Sequence, residues 1–375
     1  MAEPSSALVR RAVLERKPYR AGTTIDQARK RYGVERVVKL SSNENPLGTP
    51  PAALDALRRV ERLNAYDDDD YPELRAAAAR RYGAAPENVI AGHGSNELVW
   101  LAFSAFVDPG EAVVMGVPTF SLFPKYAHLQ GAQVIEVPLR AGVHDLEAML
   151  AAVGPRTKMV VLCDPNNPTG TAVRRSDFAR FLEKIPPTVL VVIDQAYGEY
   201  MPPDDFVDGV AVALATPNVL VARTMSKIYG LASARVGFMI GHPRLIEWMQ
   251  RIRVPFNVSG PSIAAAIAAF GDQSFVERSI ALNDAGKAYV YREYERLGLF
   301  AYPTAANFVA VEVPVGAERA YEDLMRLGIV VRSGDGVGLP HFLRVTIGTQ
   351  AENEALIGAL EELLPSWRER PAASA

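Results

Sequence analysis

The sequence predicts an α/β chain: a large, doubly wound, mostly parallel sheet followed by a small α+β unit. Three observations carry this expectation. Short Val-rich runs (NVIAG, EAVVMG, QVIEVPL, KMVVLC, TVLVVID, NVLVART) alternate with helical patterns up to about residue 265. They lack a polar face, as parallel strands covered on both sides by crossover helices do. Beyond that point the pattern changes to a long helical stretch near Ser274–Leu297, then NFVAVEV, IVVRSG and FLRVTIG, then a final helix over Glu352–Leu364. Finally, 375 residues with 49% hydrophobic and 22% charged side chains suit one large domain plus a smaller one. The expected organisation is an N-terminal arm (1–47) that contributes to the small domain and the dimer contact, a large domain (48–265) and a small C-terminal domain (266–375).

Taken in order, the arm carries a helix near Ile25–Tyr32 and ends in SSNENPLGTPP, a junction rich in turn residues. PAALDALRRVERL has apolar positions at helical spacing, and YPELRAAAARRYG is a second helix stopped by Gly83. Strand–helix pairs follow. RVGFMIGH comes after only a short turn and is expected to add an antiparallel strand.

Several function classes are disfavoured. A net charge of −3 offers no general attraction to nucleic acid or an acidic membrane. Cys163 is the sole cysteine, so no intrachain disulfide or thiolate metal cluster forms, and a reducing compartment is expected. The N-terminal stretch lacks the apolar core of a signal peptide, and no window approaches about 18 uninterrupted apolar residues. A cytoplasmic enzyme is the expectation. His93, His128, His144, His242 and His341 have no metal spacing, and Asp67–Asp70 reads as a solvated turn. AGHGSNE lacks the third glycine of a dinucleotide fingerprint.

The chemistry gathers where apolar runs stop. VVLCDPNNPTG ends a buried strand with two prolines, which fix φ, and two amides, Asn166 and Asn167. A turn this rigid can hold one side-chain amide still. VLVVIDQAYGEY ends in Asp194 and Tyr197, and VLVARTMSKIYG in Thr224, Ser226 and Lys227. Neighbouring strands bring such tips into one crevice at the C-terminal edge of the sheet. An amide, a carboxylate, a phenol, two hydroxyls and a lysine are what pyridoxal 5′-phosphate requires. The lysine condenses with its aldehyde, the carboxylate faces its pyridine nitrogen, amide and phenol hold its phenolic oxygen, and hydroxyls with a helix N-terminus hold its phosphate. Taken singly, each residue has a plainer reading: a solvated lysine, a helix-capping aspartate, a packing tyrosine.

Asp194 follows Asn167 by 27 positions, Lys227 follows Asp194 by 33, and Arg235 follows Lys227 by eight. With NNPTG, DQAY and SK at these intervals, the chain resembles the fold-type I aminotransferases over nearly its whole length. KPYRAGT, LSSNENPLG, YPELR, RVPFNVS and LRVTIGT resemble in particular the histidinol-phosphate aminotransferase branch, which also holds aromatic and phenylalanine aminotransferases. The resemblance implies the type I fold, pyridoxal 5′-phosphate, a homodimer with shared active sites, and a small amino donor with 2-oxoglutarate as acceptor. It implies that Lys227 binds the aldehyde and shuttles the proton, Asp194 pairs with the ring nitrogen, and Asn167 and Tyr197 hold the phenolic oxygen. Phe120 would stack on the ring. Gly94, Ser95, Asn96, Thr224, Ser226 and Arg235 would hold the phosphate, with Tyr66 reaching the neighbouring subunit's phosphate. Arg344 would grip a substrate carboxylate, while Asn43 and Tyr19 would lie near the substrate side chain.

The chain departs from the family pattern at several points. Phe120 stands where a tyrosine is common, Asn96 where an acidic residue is frequent, Gln195 where glutamate is, and Asp164 where asparagine is. YDDDDYPELR replaces a Tyr-Pro-Asp pattern around Tyr66. The expected reaction is amino transfer between L-histidinol phosphate and 2-oxoglutarate in histidine biosynthesis. The alternatives are an aromatic aminotransferase, a decarboxylase of amino-acid phosphates on the same fold, and a non-catalytic protein that kept the fold. Arg332, Arg20 and Arg253 are candidate cations for a substrate phosphate.

Overall fold

The computed structural model describes residues 5–14, 18, 22–202 and 205–369. Among them, strand β1 (Val38–Lys39) lies in the arm. A seven-stranded sheet is built from β2 (Val89–His93), β3 (Ala112–Val117), β4 (Gln133–Pro138), β5 (Thr157–Cys163), β6 (Leu190–Asp194), β7 (Val219–Thr224) and β8 (Val236–Gly241). Its order is β2-β8-β7-β6-β5-β3-β4. Strand β8 is antiparallel to both neighbours and the other pairs are parallel, the mixed sheet expected. Then come β9 (Phe308–Glu312), β10 (Ile329–Val330), β11 (Arg332–Ser333) and β12 (Phe342–Thr346). Strands β11, β12 and β9 make a small antiparallel sheet, and β10 pairs in parallel with β1. No helix among the described residues is long and apolar enough to cross a membrane.

The Val-rich runs are buried on both faces. On β5, Val160 and Leu162 join one apolar cluster, whereas Met159, Val161 and Cys163 join another. On β6, Val191 and Ile193 are set against Leu190 and Val192 in the same way. Burying each such side chain is worth about 1.5–3 kcal/mol. Period-two alternation then decides where the polar tips point. Asp194 continues the phase of Val192, and Thr224 that of Ala222, so both face the second cluster. Helix Gly94–Phe106 packs on this same face through Leu98, Val99 and Ala102. Its N-terminus therefore meets the ends of β6 and β7 at one edge of the sheet.

The arm does not stand apart. Val38 and Leu40 are buried with Val309, Val345, Leu360 and Trp367, so the chain just before Ser41 is packed into the C-terminal core. The last helix differs from expectation: it spans Gln350–Glu369 and runs through Pro365. Proline there removes the bond to the Glu361 carbonyl. Burial of Leu364 and Trp367 outweighs that loss, and Trp367 Nε1 donates to Asp323 Oδ2 at 3.0 Å.

Gly237 on β8 sets how closely the helix N-terminus approaches the sheet. A Cβ at this position would overlap the backbone of Gly94 and Ser95. Gly237→Ala is expected to lower unfolding free energy by about 1–3 kcal/mol, the usual cost of overpacking. Urea denaturation checks this, and unchanged stability would show that the close approach is not a constraint.

Candidate active site

The turn after β5 divides its two amides between structure and site. Asn166 is fully buried and locks the turn. Its Nδ2 donates to the Pro118 carbonyl (3.1 Å) and Thr169 Oγ1 (2.9 Å), and its Oδ1 accepts from Thr119 Oγ1 (2.8 Å). Asn167 faces the cleft. Its Oδ1 accepts from Arg344 Nη1 at 2.7 Å, and its amide N–H groups donate to no protein atom among the described residues. Asp164, the first residue of the turn, accepts from the Val173 amide at 2.7 Å, and burial lifts its pKa to about 7.

At the next two tips, burial governs charge. Asp194 is 5% exposed and accepts from the Ala196 amide at 3.2 Å. Desolvation raises its pKa to about 6, against the opposing pull of the Ala196 hydrogen bond and the Lys227 charge. Tyr197 is buried, and its Oη accepts from Asn43 Nδ2 at 2.9 Å. Desolvation pushes its pKa up, so the phenol keeps its proton, which no protein acceptor takes among the described residues. Lys227 is half-buried, and its Nζ donates to the Ser42 carbonyl at 3.1 Å. Burial, then the guanidinium charges of Arg344 and Arg235, bring its pKa down to about 8, with Glu44 and Asp194 opposing.

Cationic and N–H donors converge beside these tips. Helix Gly94–Phe106 begins at Gly94, whose φ of 78° favours glycine. A Cβ there would lie 2.6 Å from Arg235 Nη2, so the guanidinium rests on the start of the helix. Arg235 Nη1 donates to Ser226 Oγ (3.3 Å) and the Ala232 carbonyl (2.9 Å). Thr224 Oγ1 donates to Ser226 Oγ at 2.9 Å and accepts from the Ser226 amide at 3.1 Å. Ser95 and Asn96 occupy the first helical turn, whose amides lack intrahelical acceptors. Together with the helix dipole this is an anion site.

The C-terminal sheet supplies the remaining wall. Arg344 on β12 reaches across to Asn167 and donates through Nη2 to the Ser41 carbonyl at 2.7 Å. These two acceptors are neutral and orient the guanidinium. The resulting cleft has a volume of about 590 Å³ and is lined by Asn43, Ser95, Asn96, Phe120, Asn167, Asp194, Tyr197, Thr224, Ser226, Lys227, Arg235 and Arg344. A neighbouring cleft of about 620 Å³ shares Lys125 and Arg332 with it but contains none of the strand-tip residues. The chemistry therefore lies in the cleft that holds the strand tips.

Tyr66 lies outside this cleft. It is 84% exposed and stacks on Phe256 with ring centroids 4.5 Å apart. The acidic run beside it fastens two loops together. Arg253 Nη2 donates to the Asp69 carbonyl at 2.6 Å, the Phe256 amide to Asp69 Oδ1 at 2.8 Å, and Asp70 pairs with Arg75. No cluster of metal-ligating residues occurs among the described residues. Arg253 is held in this loop system, whereas Arg332 lines the cleft. Tyr19 and Arg20 fall outside the described residues. Sequence reasoning missed Ser41 and Ser42, which act through backbone carbonyls that leave no side-chain signature. It also missed Tyr126, whose hydroxyl donates to Asn96 Oδ1 at 2.6 Å. An aromatic on the buried face of a helix gives no signal of such a role.

The donor set suits a ligand with one phosphate, a second anionic oxygen between Asn167 and Tyr197, a ring nitrogen at Asp194 and a carbonyl carbon at Lys227. Comparison with known proteins agrees. The model of the family "Aminotransferase class I and II" matches residues 35–360. A histidinol-phosphate aminotransferase of Moorella thermoacetica is 42% identical over 357 residues, covering 95% of this chain and 92% of the relative. One from Geobacillus is 39% identical, covering 92% and 95%. The crystal structure of histidinol-phosphate aminotransferase from Sinorhizobium meliloti in complex with pyridoxal-5′-phosphate superposes with a TM-score of 0.87 at 29% identity, covering 96% and 99%. A Thermus thermophilus aspartate aminotransferase double mutant gives 0.80 at 26% identity, covering 95% and 99%. The chain belongs to the class I and II aminotransferase family.

Proposed function

We propose that the chain is a pyridoxal 5′-phosphate-dependent aminotransferase that moves the amino group of L-histidinol phosphate to 2-oxoglutarate, in histidine biosynthesis. The observation that carries this is the meeting of Lys227, Asp194 and Arg344 in one cleft with an anion site at a helix N-terminus. The 42% identity to a histidinol-phosphate aminotransferase supports the choice of substrate. When bound, the cofactor supplies an aldehyde that exchanges amines and a ring that accepts the electron pair released from the substrate's Cα–H bond.

The chain's own residues have these roles. Gly94, Ser95, Asn96, Thr224, Ser226 and Arg235 hold the phosphate. Asn167 and Tyr197 donate to the phenolic oxygen, since their acceptor atoms are already occupied by Arg344 and Asn43. Asp194 holds a proton at the ring nitrogen, and Phe120 covers the ring. Lys227 Nζ, whose pKa its surroundings lower to about 8, takes up and returns the proton at the substrate's Cα. Arg344 grips the carboxylate of glutamate or 2-oxoglutarate with its planar fork. The protein works as a cytoplasmic homodimer. Tyr66 and Phe256, exposed and stacked on each other, offer apolar surface to the second subunit, where Tyr66 completes the phosphate site.

Two outcomes follow. Histidinol phosphate has no carboxylate and glutamate does. Arg344→Ala is therefore expected to cost the glutamate half-reaction about 2–5 kcal/mol and the histidinol phosphate half-reaction much less. Arg344→Lys restores only part, because a point charge cannot form the fork. Single-turnover absorbance with histidinol phosphate, phenylalanine, tyrosine and glutamate checks both substrate and anchor. Faster turnover of phenylalanine than of histidinol phosphate would favour the aromatic alternative.

The second outcome concerns pH. Lys227 sits near pH 8 in the fold and at 10.5 when unperturbed. Between these values the unfolded chain binds the proton more strongly, so this group makes stability rise with pH across that window. Below pH 8 the penalty is present in full. In cofactor-free protein, Lys227→Met is expected to flatten the pH 8–10 rise by roughly 1–3 kcal/mol. Urea titrations at several pH values measure it, and parallel curves for both proteins would contradict the depressed pKa.

A further inference from the structure

Tyr126 belongs to helix Leu122–Leu129, outside every motif that identifies the cleft. Its ring is wedged edge-on against Trp100 and Phe103, with centroids 5.2 and 5.9 Å away. Both partners lie on helix Gly94–Phe106, the helix whose first turn carries Asn96. The ring is 8% exposed, and the hydroxyl at its end donates to Asn96 Oδ1 at 2.6 Å. Phenol and amide are thus fixed to one rigid body, and both line the cleft.

That bond determines which end of the amide a ligand meets. Asn96 Oδ1 is occupied, and Nδ2 donates to no protein atom among the described residues. The amide therefore offers N–H groups at the helix N-terminus, where an anion is favoured. Without the phenol, no other hydrogen bond among the described residues keeps the amide from turning its carbonyl oxygen toward the same anion and repelling it. The phenol keeps its proton across the neutral range, because burial lifts its pKa to about 12, with the Asn96 hydrogen bond opposing and the Asp194 charge adding a smaller push.

We infer that Tyr126 is a positioning residue for the cofactor's phosphate, acting through Asn96 by holding that amide with its N–H groups toward the anion. The inference rests on the reading of the cleft as a pyridoxal 5′-phosphate site. It extends the phosphate-binding set to a side chain that acts through Asn96.

The test is equilibrium binding, by fluorescence titration of cofactor-depleted full-length protein with pyridoxal 5′-phosphate and, separately, with pyridoxal, which lacks the phosphate. Tyr126→Phe removes one oxygen and keeps the ring packing. It is expected to weaken pyridoxal 5′-phosphate binding about three- to tenfold, the range of one hydrogen bond, and to leave pyridoxal within about twofold of wild type. In an Asn96→Ala background the same substitution should change neither affinity, because the group it orients is gone. Unchanged pyridoxal 5′-phosphate affinity in Tyr126→Phe overturns the inference. So does equal weakening of both ligands, which marks a packing role, and so do additive effects in the double variant. If wild-type protein binds no pyridoxal 5′-phosphate, the cofactor assignment itself fails, and the inference with it.

Discussion

The site depends on one constraint: the oxygens of Asn167 and Tyr197 accept hydrogen bonds from within the protein, so that their donors are left for the ligand. Arg344 occupies Asn167 Oδ1, and Asn43 occupies Tyr197 Oη. A buried amide or phenol free to rotate would present lone pairs to an anion about as readily as protons. Here the choice has been made before any ligand arrives. Such preorganisation means that little reorientation is needed when charge is bound.

Three consecutive residues carry much of this arrangement. Ser41 and Ser42 accept from Arg344 and Lys227 through their carbonyls, and Asn43 donates to Tyr197. Asn43 has a φ of 54°, a left-handed conformation that asparagine tolerates better than most residues. It is held by the bond from its amide to Thr346 Oγ1 at 2.9 Å and by Asn307 Nδ2 on its carbonyl at 3.1 Å. The preceding Val38 and Leu40 are anchored in the C-terminal core. The strap therefore joins groups from the large sheet (Lys227, Tyr197) to one from the small sheet (Arg344). Below it, desolvation moves two pKa values in opposite directions. It disfavours the carboxylate of Asp194 and the ammonium of Lys227, and the mutual attraction of the two offsets part of each penalty.

Much of this was legible in the sequence, for definite physical reasons. Strands buried on both faces need uniform apolar runs, so β5, β6 and β7 stood out, and their abrupt polar ends marked Asn167, Asp194 and Thr224. The antiparallel β8 followed from the shortness of its connection. What was not legible depends on atoms that carry no side-chain identity or on partners distant in sequence. The NN pair could not be divided into a clamp and a ligand-facing amide without Thr119, 47 positions away from Asn166. The Ser41 and Ser42 carbonyls are backbone groups that any residue possesses. Tyr126 is one of many aromatics on buried helix faces. The helix across Pro365 broke a local rule because Trp367 is worth more buried than the lost hydrogen bond.

Lys227, tethered to the Ser42 carbonyl and with its pKa lowered to about 8, is the amine proposed to engage the cofactor. The most direct test of this role is borohydride reduction of the protein loaded with pyridoxal 5′-phosphate, followed by peptide mapping by mass spectrometry. A single reduced adduct is expected, on the peptide containing Lys227. An adduct on Lys125 at the mouth of the cleft, or on any other lysine in place of Lys227, would contradict it.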